Sequence, residues 1–301
     1  MQALFAPTGD TRTWLTAYLR DRAHLASLGS DFQCDPACTR PGCKNPDLQV
    51  QVSIVDLLGL ALHRQEPVSA LYQRHYSLGL FSEERDDWIR LVGLKLRKPC
   101  PFLANDLCGI YPVRPLPCIL FPEYLVGEGK FEAYAGQKHF RDYLCFQRPL
   151  LLSPERARVM AQLKQMWVRE TLITSFYLVG HGPCYLDFGN LTTELLQAAT
   201  RLGDGAAEER SEPGRVIPHR TLERFFVEHM ARLQPFAGVE EKIEHLHTLE
   251  GQAQFLRLIQ DDRLLRKLKQ GGGDRALVFR FEKMKLRAKR RSLLPAEYKF
   301  Y

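Results

Sequence analysis

The stretch Cys100-Pro-Phe-Leu-Ala-Asn-Asp-Leu-Cys108-Gly-Ile-Tyr-Pro-Val-Arg-Pro-Leu-Pro-Cys118 decides how this chain folds. Three thiols stand among Pro101, Pro112, Pro115 and Pro117 and the turn residues Asn105, Asp106 and Gly109. Such a backbone sustains neither a long helix nor a long strand, so something other than regular structure must order it. Phe102, Leu103, Ile110 and Tyr111 are expected to pack beneath the segment and keep water from the sulfurs. Arg97, Lys98 and Arg114 are expected to offset thiolate charge and donate hydrogen bonds.

A second group lies upstream, Cys34-Asp-Pro-Ala-Cys38-Thr-Arg-Pro-Gly-Cys43. Pro36, Pro41 and Gly42 bend this loop without apolar support, and Asp31–Pro46 reads as neither helix nor strand. A metal supplies the missing cross-link. Structural zinc contributes ~10–16 kcal/mol of apparent binding free energy, as much as the ~5–15 kcal/mol net stability of a typical domain. Cys145, in Tyr143-Leu-Cys-Phe146, is either a seventh ligand or a core thiol. Cys34, Cys38, Cys43, Cys100, Cys108, Cys118 and Cys145 together exceed the four ligands of one zinc or one four-iron cluster. Either some are structural or there are two metals. Neither standard zinc-finger C-x-x-C pairs nor the ferredoxin run is present, so spacing leaves zinc and iron–sulfur open.

The pattern CPFL, four residues, C-G-I-Y, two residues, R-P, two residues, C, then F-P resembles the signature of the YkgJ-type cysteine-cluster family. The upstream cysteines, and Asp56 at the start of the next helix, fit the same pattern. The resemblance covers about residues 30–150 and implies chelation of zinc or iron, without a settled reaction. The first group departs from the family in ending on the single Cys43 instead of adjacent cysteines. Flagellin lysine methylases carry a similar cysteine region, which implies a metal-dependent protein-modifying enzyme as an alternative. No glycine-rich S-adenosylmethionine loop accompanies it here.

Outward from the cysteines, 301 residues allow one large domain or two small ones, and 45% hydrophobic content is enough for a packed core. No run reaches the ~18 apolar residues of a membrane span, and the first residues lack a secretory pattern, so no membrane association and a cytoplasmic location are expected. Thiols are kept reduced there, which favours metal over disulfides. Between Arg263 and Arg291 twelve Lys/Arg face only Asp274 and Glu282, although the whole chain carries +7. The basic segment 275–291 is thus a candidate surface for nucleic acid or an acidic protein, or else a solvated face.

The expected fold class is α+β, mainly helical, with a small metal-stapled cysteine-rich core, short β-hairpins and surrounding helices. The regions are an N-terminal helix (1–30), the cysteine region (31–150), packing helices (151–202), a linker or loop (203–218) and a helical region with a basic tail (219–301). Helices are expected at 11–28, from Ser53 with Asp56 completing a capping box, from Pro67 through Tyr76, from Ser82, at 154–178, 219–232 and 239–270. A strand is expected at 88–97, and a hairpin at 122–126 and 130–134 turning at Gly127-Glu128-Gly129. The tail 275–301 reads equally as helix or strand. His139 is a possible extra ligand. Cys184, after His181-Gly-Pro, reads as an incidental thiol at a turn. Nucleotide-binding loops, a nucleophile elbow and a zincin helix are absent from the sequence. Three readings follow: a metal-binding protein, a metal-dependent enzyme, and a zinc-stapled nucleic-acid-binding protein.

Overall fold

A computed structural model describes residues 11–29, 37–46, 48–81, 88–89, 91–127, 129–136, 140, 142–147, 150–180, 184–187, 238–269, 276–282 and 285–291. In chain order come α1 (Thr11–Ser27), α2 (Pro41–Lys44), β1 (Gln51–Val52), α3 (Ile54–Arg64), α4 (Val68–His75), β2 (Tyr76–Phe81), β3 (Trp88–Ile89) and β4 (Leu91–Leu96). Next are β5 (Leu103–Ala104), β6 (Leu107–Cys108), α5 (Leu116–Leu120), α6 (Glu123–Gly127), α7 (Phe131–Ala135), α8 (Pro154–Val179) and β7 (Cys184–Asp187). The chain continues with α9 (Val239–His245), α10 (Leu249–Gln260), α11 (Asp262–Lys269), β8 (Ala276–Glu282) and β9 (Lys285–Arg291). The fold is mainly helical α+β. Two compact units are formed, one from Met1–Ser77, Leu94–Thr171 and Ile243–Gln260, the other from Leu78–Gly93, Leu172–Lys242 and Asp261–Tyr301.

In the first unit, α1 buries Trp14, Leu15 and Tyr18, with the Trp14 and Tyr18 rings stacked at 5.0 Å. The capping box forms as the spacing predicts: Ser53 Oγ accepts from Asp56 N at 3.1 Å, and Asp56 Oδ2 accepts from Ser53 N at 2.9 Å. β1 pairs antiparallel with β4, Gln51 opposite Lys95 and Val52 opposite Leu94, in a sheet ordered β1–β4–β2. α8 starts where Ser153 Oγ accepts from Arg156 N at 3.1 Å. Gly180, at φ +73°, closes it by donating to Phe176 O at 2.7 Å.

Several expectations are corrected. Residues 122–134 form α6 and α7 instead of a hairpin. Gly129, at φ +66°, donates to Val126 O at 3.0 Å and Lys130 N donates to Leu125 O at 2.8 Å. The glycine therefore ends a helix instead of turning a hairpin. The two short helices feed an apolar cluster of Leu125, Phe131, Phe140, Tyr143 and Phe146, whose burial outweighs local strand preference. The single helix expected at 239–270 is three helices. Thr248 Oγ1 accepts from Gly251 N at 3.0 Å, and Asp261 Oδ1 accepts from Arg263 N and Leu264 N, so each restarts the helix as a new cap.

The 31–46 loop contains one helical turn, α2, entered from Arg40 at φ +58° with Pro41 in the first position. α4 ends one residue before Tyr76, which opens β2. The strand expected at 88–97 is two strands of different sheets. The tail resolves as β8 and β9, the outer pair of a four-stranded sheet ordered β3–β7–β8–β9 in the second unit. Residues 82–87, 203–218 and 219–232 lie outside the described residues. No helix among the described residues is long and apolar enough to cross a membrane.

Candidate metal centre

Short elements bring four thiols within electrostatic reach of one another in the first unit. Cys43 sits on α2, and its carbonyl accepts from Cys100 N at 2.7 Å, joining the two cysteine groups through the backbone. Lys98 Nζ donates to Gly42 O at 2.6 Å, and Lys44 pairs with Asp106 at 2.6 Å across the same junction. Cys108 ends the β5–β6 hairpin, where Leu103 faces Cys108 around Asn105 (φ +49°) and Asp106 (φ +58°). Two successive left-handed residues make this the tight primed turn of a two-residue hairpin. Cys118 occupies the first turn of α5, positioned by Pro115 and Pro117. Phe102 and Ile110 are buried beneath the segment as expected, whereas Tyr111 is 62% exposed, its ring covered by the Arg114 guanidinium at 3.9 Å.

The four sulfurs influence one another electrostatically. The Cys43 thiol and Cys100 share a hydrogen bond, which drives Cys100 down to about 6 and raises Cys43. Backbone N–H groups of Phe102 and Leu103 and the charge of Lys98 also favour the Cys100 thiolate. Burial raises Cys108, opposed by a hydrogen bond from Ile110 N and by Arg114. Burial pushes Cys118 up to about 12, with Lys98 opposing and Cys100, Asp56 and Cys108 reinforcing. Cys38, Cys43 and Cys145 all act electrostatically on Tyr143, which burial pushes up to about 12. A Cβ on Gly42 would lie 3.4 Å from the Tyr143 ring, so the bare glycine lets that ring lie against α2. Cys34 and His139 lie outside the described residues, and Cys184 is on β7 in the second unit.

Among the described residues, no three His, Cys, Asp or Glu side chains stand where they would hold a metal ion as they are. Cys43 and Cys100 are instead hydrogen-bonded as thiol and thiolate. The donor set is nonetheless thiophilic in kind. Four sulfurs lie within electrostatic reach of one another, backbone N–H groups bond two of them, and Lys98 and Arg114 stand by. A metal held by these cysteines would need the protonated thiols to lose their protons.

Sequence reasoning missed a polar network directly under the loop that carries Cys118. Arg22 Nη1 bonds Asp56 Oδ1 at 2.9 Å and Glu170 Oε2 at 3.2 Å, with all three side chains almost fully buried. Tyr18 OH and Ser53 Oγ donate to Glu170 at 2.8 and 2.7 Å. One guanidinium thus serves two carboxylates, and burial pushes Glu170 up to about 7 despite Arg22. Asp56 Oδ1 also accepts from Leu116 N at 3.3 Å, and Arg22 Nη2 donates to Arg114 O at 3.4 Å. The capping residue therefore has a second task, fixing the start of α5. Nearby, Tyr76 is 1% exposed and its hydroxyl has no hydrogen-bond partner among the described residues, an arrangement costing about 1–3 kcal/mol when nothing compensates. No local pattern could reveal Arg22 or Glu170, because their partners are distant in sequence. Set against models of known protein families, curated proteins and solved structures, the chain matches none.

Proposed function

We propose that this chain is a cytoplasmic metal-binding protein that holds zinc or an iron–sulfur cluster through Cys43, Cys100, Cys108 and Cys118. The observation that supports the reading best is that these four sulfurs lie within electrostatic reach of one another, with N–H donors and Lys98 beside them. Cys38 and Cys145 lie near Tyr143, and Cys34 belongs to the same loop as Cys38 in sequence. The motif shared with YkgJ-type proteins supports the same chemistry, on the residues quoted for it alone. Replacing Cys108 by Ser is expected to abolish metal retention, whereas Cys184→Ser leaves it intact. Metal content of each purified variant is the measurement, and full occupancy in Cys108→Ser contradicts the ligand set.

A second reading, nucleic-acid binding, is favoured by the register of the β8–β9 hairpin. Lys285, Arg287, Lys289 and Arg291 occupy alternate positions of edge strand β9, with Arg280 paired opposite Arg287 on β8. Arg287 is exposed. An exposed arginine on an edge strand this rich in Lys and Arg suits a phosphate backbone. Binding of a single-stranded oligonucleotide should weaken with added salt and be lost in an Arg287→Glu, Lys289→Glu variant. Binding unaffected by either change counts against this face.

A further inference from the structure

Cys43 and Cys100 belong to different cysteine groups, yet their backbones touch: Cys100 N donates to Cys43 O at 2.7 Å. Residues joined by such bonds between strands hold their Cα atoms about 5.5 Å apart, inside the ~4.4–6.8 Å that a disulfide spans. The side chains are turned toward each other as well. The Cys43 thiol donates to the Cys100 sulfur, which also accepts from Phe102 N and Leu103 N.

The junction is braced by contacts that do not involve either sulfur. Cys43 N donates to Arg40 O at 2.9 Å, Lys98 Nζ donates to Gly42 O at 2.6 Å, and Arg40 Nε donates to Asp106 O at 3.1 Å. Lys44 pairs with Asp106 at 2.6 Å, and Leu96 N donates to Val50 O at 3.0 Å. Two cysteines held this close can be bridged without moving the backbone. Both are only half-buried, so a small reagent reaches them. A nucleophilic sulfur with a second thiol beside it to resolve the adduct is the arrangement of redox-responsive cysteines.

We propose that Cys43 and Cys100 form a reversible disulfide, a switch that locks α2 to the Cys100 loop when the chain meets a low-molecular-weight disulfide. The Cys100 sulfur attacks one sulfur of the small disulfide and expels the other as a thiolate. The Cys43 thiol passes its proton to that thiolate, and its sulfur then attacks Cys100 in the mixed disulfide and expels the second thiolate. The cysteine pair loses two electrons and the small disulfide gains them. In a reducing compartment the bond is transient. This inference concerns the chain without metal and does not rest on the metal-binding reading.

The test uses the full chain, reduced, held with a chelator and exposed to glutathione disulfide. Remaining thiols are then alkylated and the linkages mapped by peptide fragmentation in a mass spectrometer. A bond from Cys43 to Cys100 should form and should reopen with reduced glutathione. It should raise the melting temperature, because it closes a long loop in the unfolded chain. Cys43→Ser should leave Cys100 as a lasting glutathione adduct, whereas Cys118→Ser should form the bond as before. Cys100 joined instead to Cys108 or Cys118, glutathione adducts with no cross-link in the unaltered chain, or an oxidised chain melting below the reduced one overturns the inference. Mapping on the unaltered chain decides the matter even where a serine variant fails to fold. Uptake of zinc or iron is a separate measurement, and neither result decides the other.

Discussion

Cys118 shows how a single side chain can be both unsuited to its metal-free surroundings and suited to a ligand. Burial holds its thiol protonated, up to about 12, and Cys43 and Cys108 are raised as well, while only Cys100 is driven down, to about 6. A metal bound by these sulfurs would have to displace the protons that burial favours on three of them. Such binding would release protons, so affinity would rise with pH and fall on acidification. Zinc titrations at about pH 6 and about pH 8, in buffers of different ionisation heat, should show tighter binding and net proton release at the higher value. Affinity independent of pH would mean the thiols are not the ligands. The candidate cysteines were legible because their spacing among prolines is unusual. Which of them meet was not, since Cys43 and Cys100 are joined by backbone contacts across 57 positions of chain.

Elements were legible where the signal is local. The Ser53–Asp56 box, the Ser153 start and the Gly180 stop are each decided within a few residues, and all formed. The misreading of 122–134 came from treating Gly127-Glu128-Gly129 as a turn between strands, when the aromatic cluster around Phe131 and Phe146 draws those residues into helices. The overlong helix at 239–270 came from following hydrophobic periodicity past Thr248 and Asp261, two caps that restart the backbone. At the first of these breaks, a Cβ on Gly251 would collide with His245 O, a backbone atom that cannot swing aside. Gly251→Ala should therefore force α9 and α10 apart and destabilise the first unit by about 1–3 kcal/mol, or more. A urea midpoint measured on the purified variant checks this, and an unchanged midpoint would show that the break is not tightly built.

At the scale of the molecule, two features of the first unit meet at the start of α5. One is the group of half-buried cysteines. The other is the Arg22–Asp56–Glu170 network, which ties α1, α3 and α8 to the Arg114–Leu116 backbone. Buried charge of this kind is costly unless every group is paired, and here each carboxylate accepts from Arg22 and from further donors. The sequence could indicate helices and a cysteine-rich segment, but not that these helices converge on one guanidinium, because pairing between distant polar residues leaves no periodic trace. Whether these cysteines bind a metal is tested most directly by elemental analysis with a sulfide assay on anaerobically isolated chain. The account predicts zinc, or iron with matching sulfide, retained by folded protein and lost in Cys108→Ser; folded protein free of both metals, and unable to take them up, would contradict it.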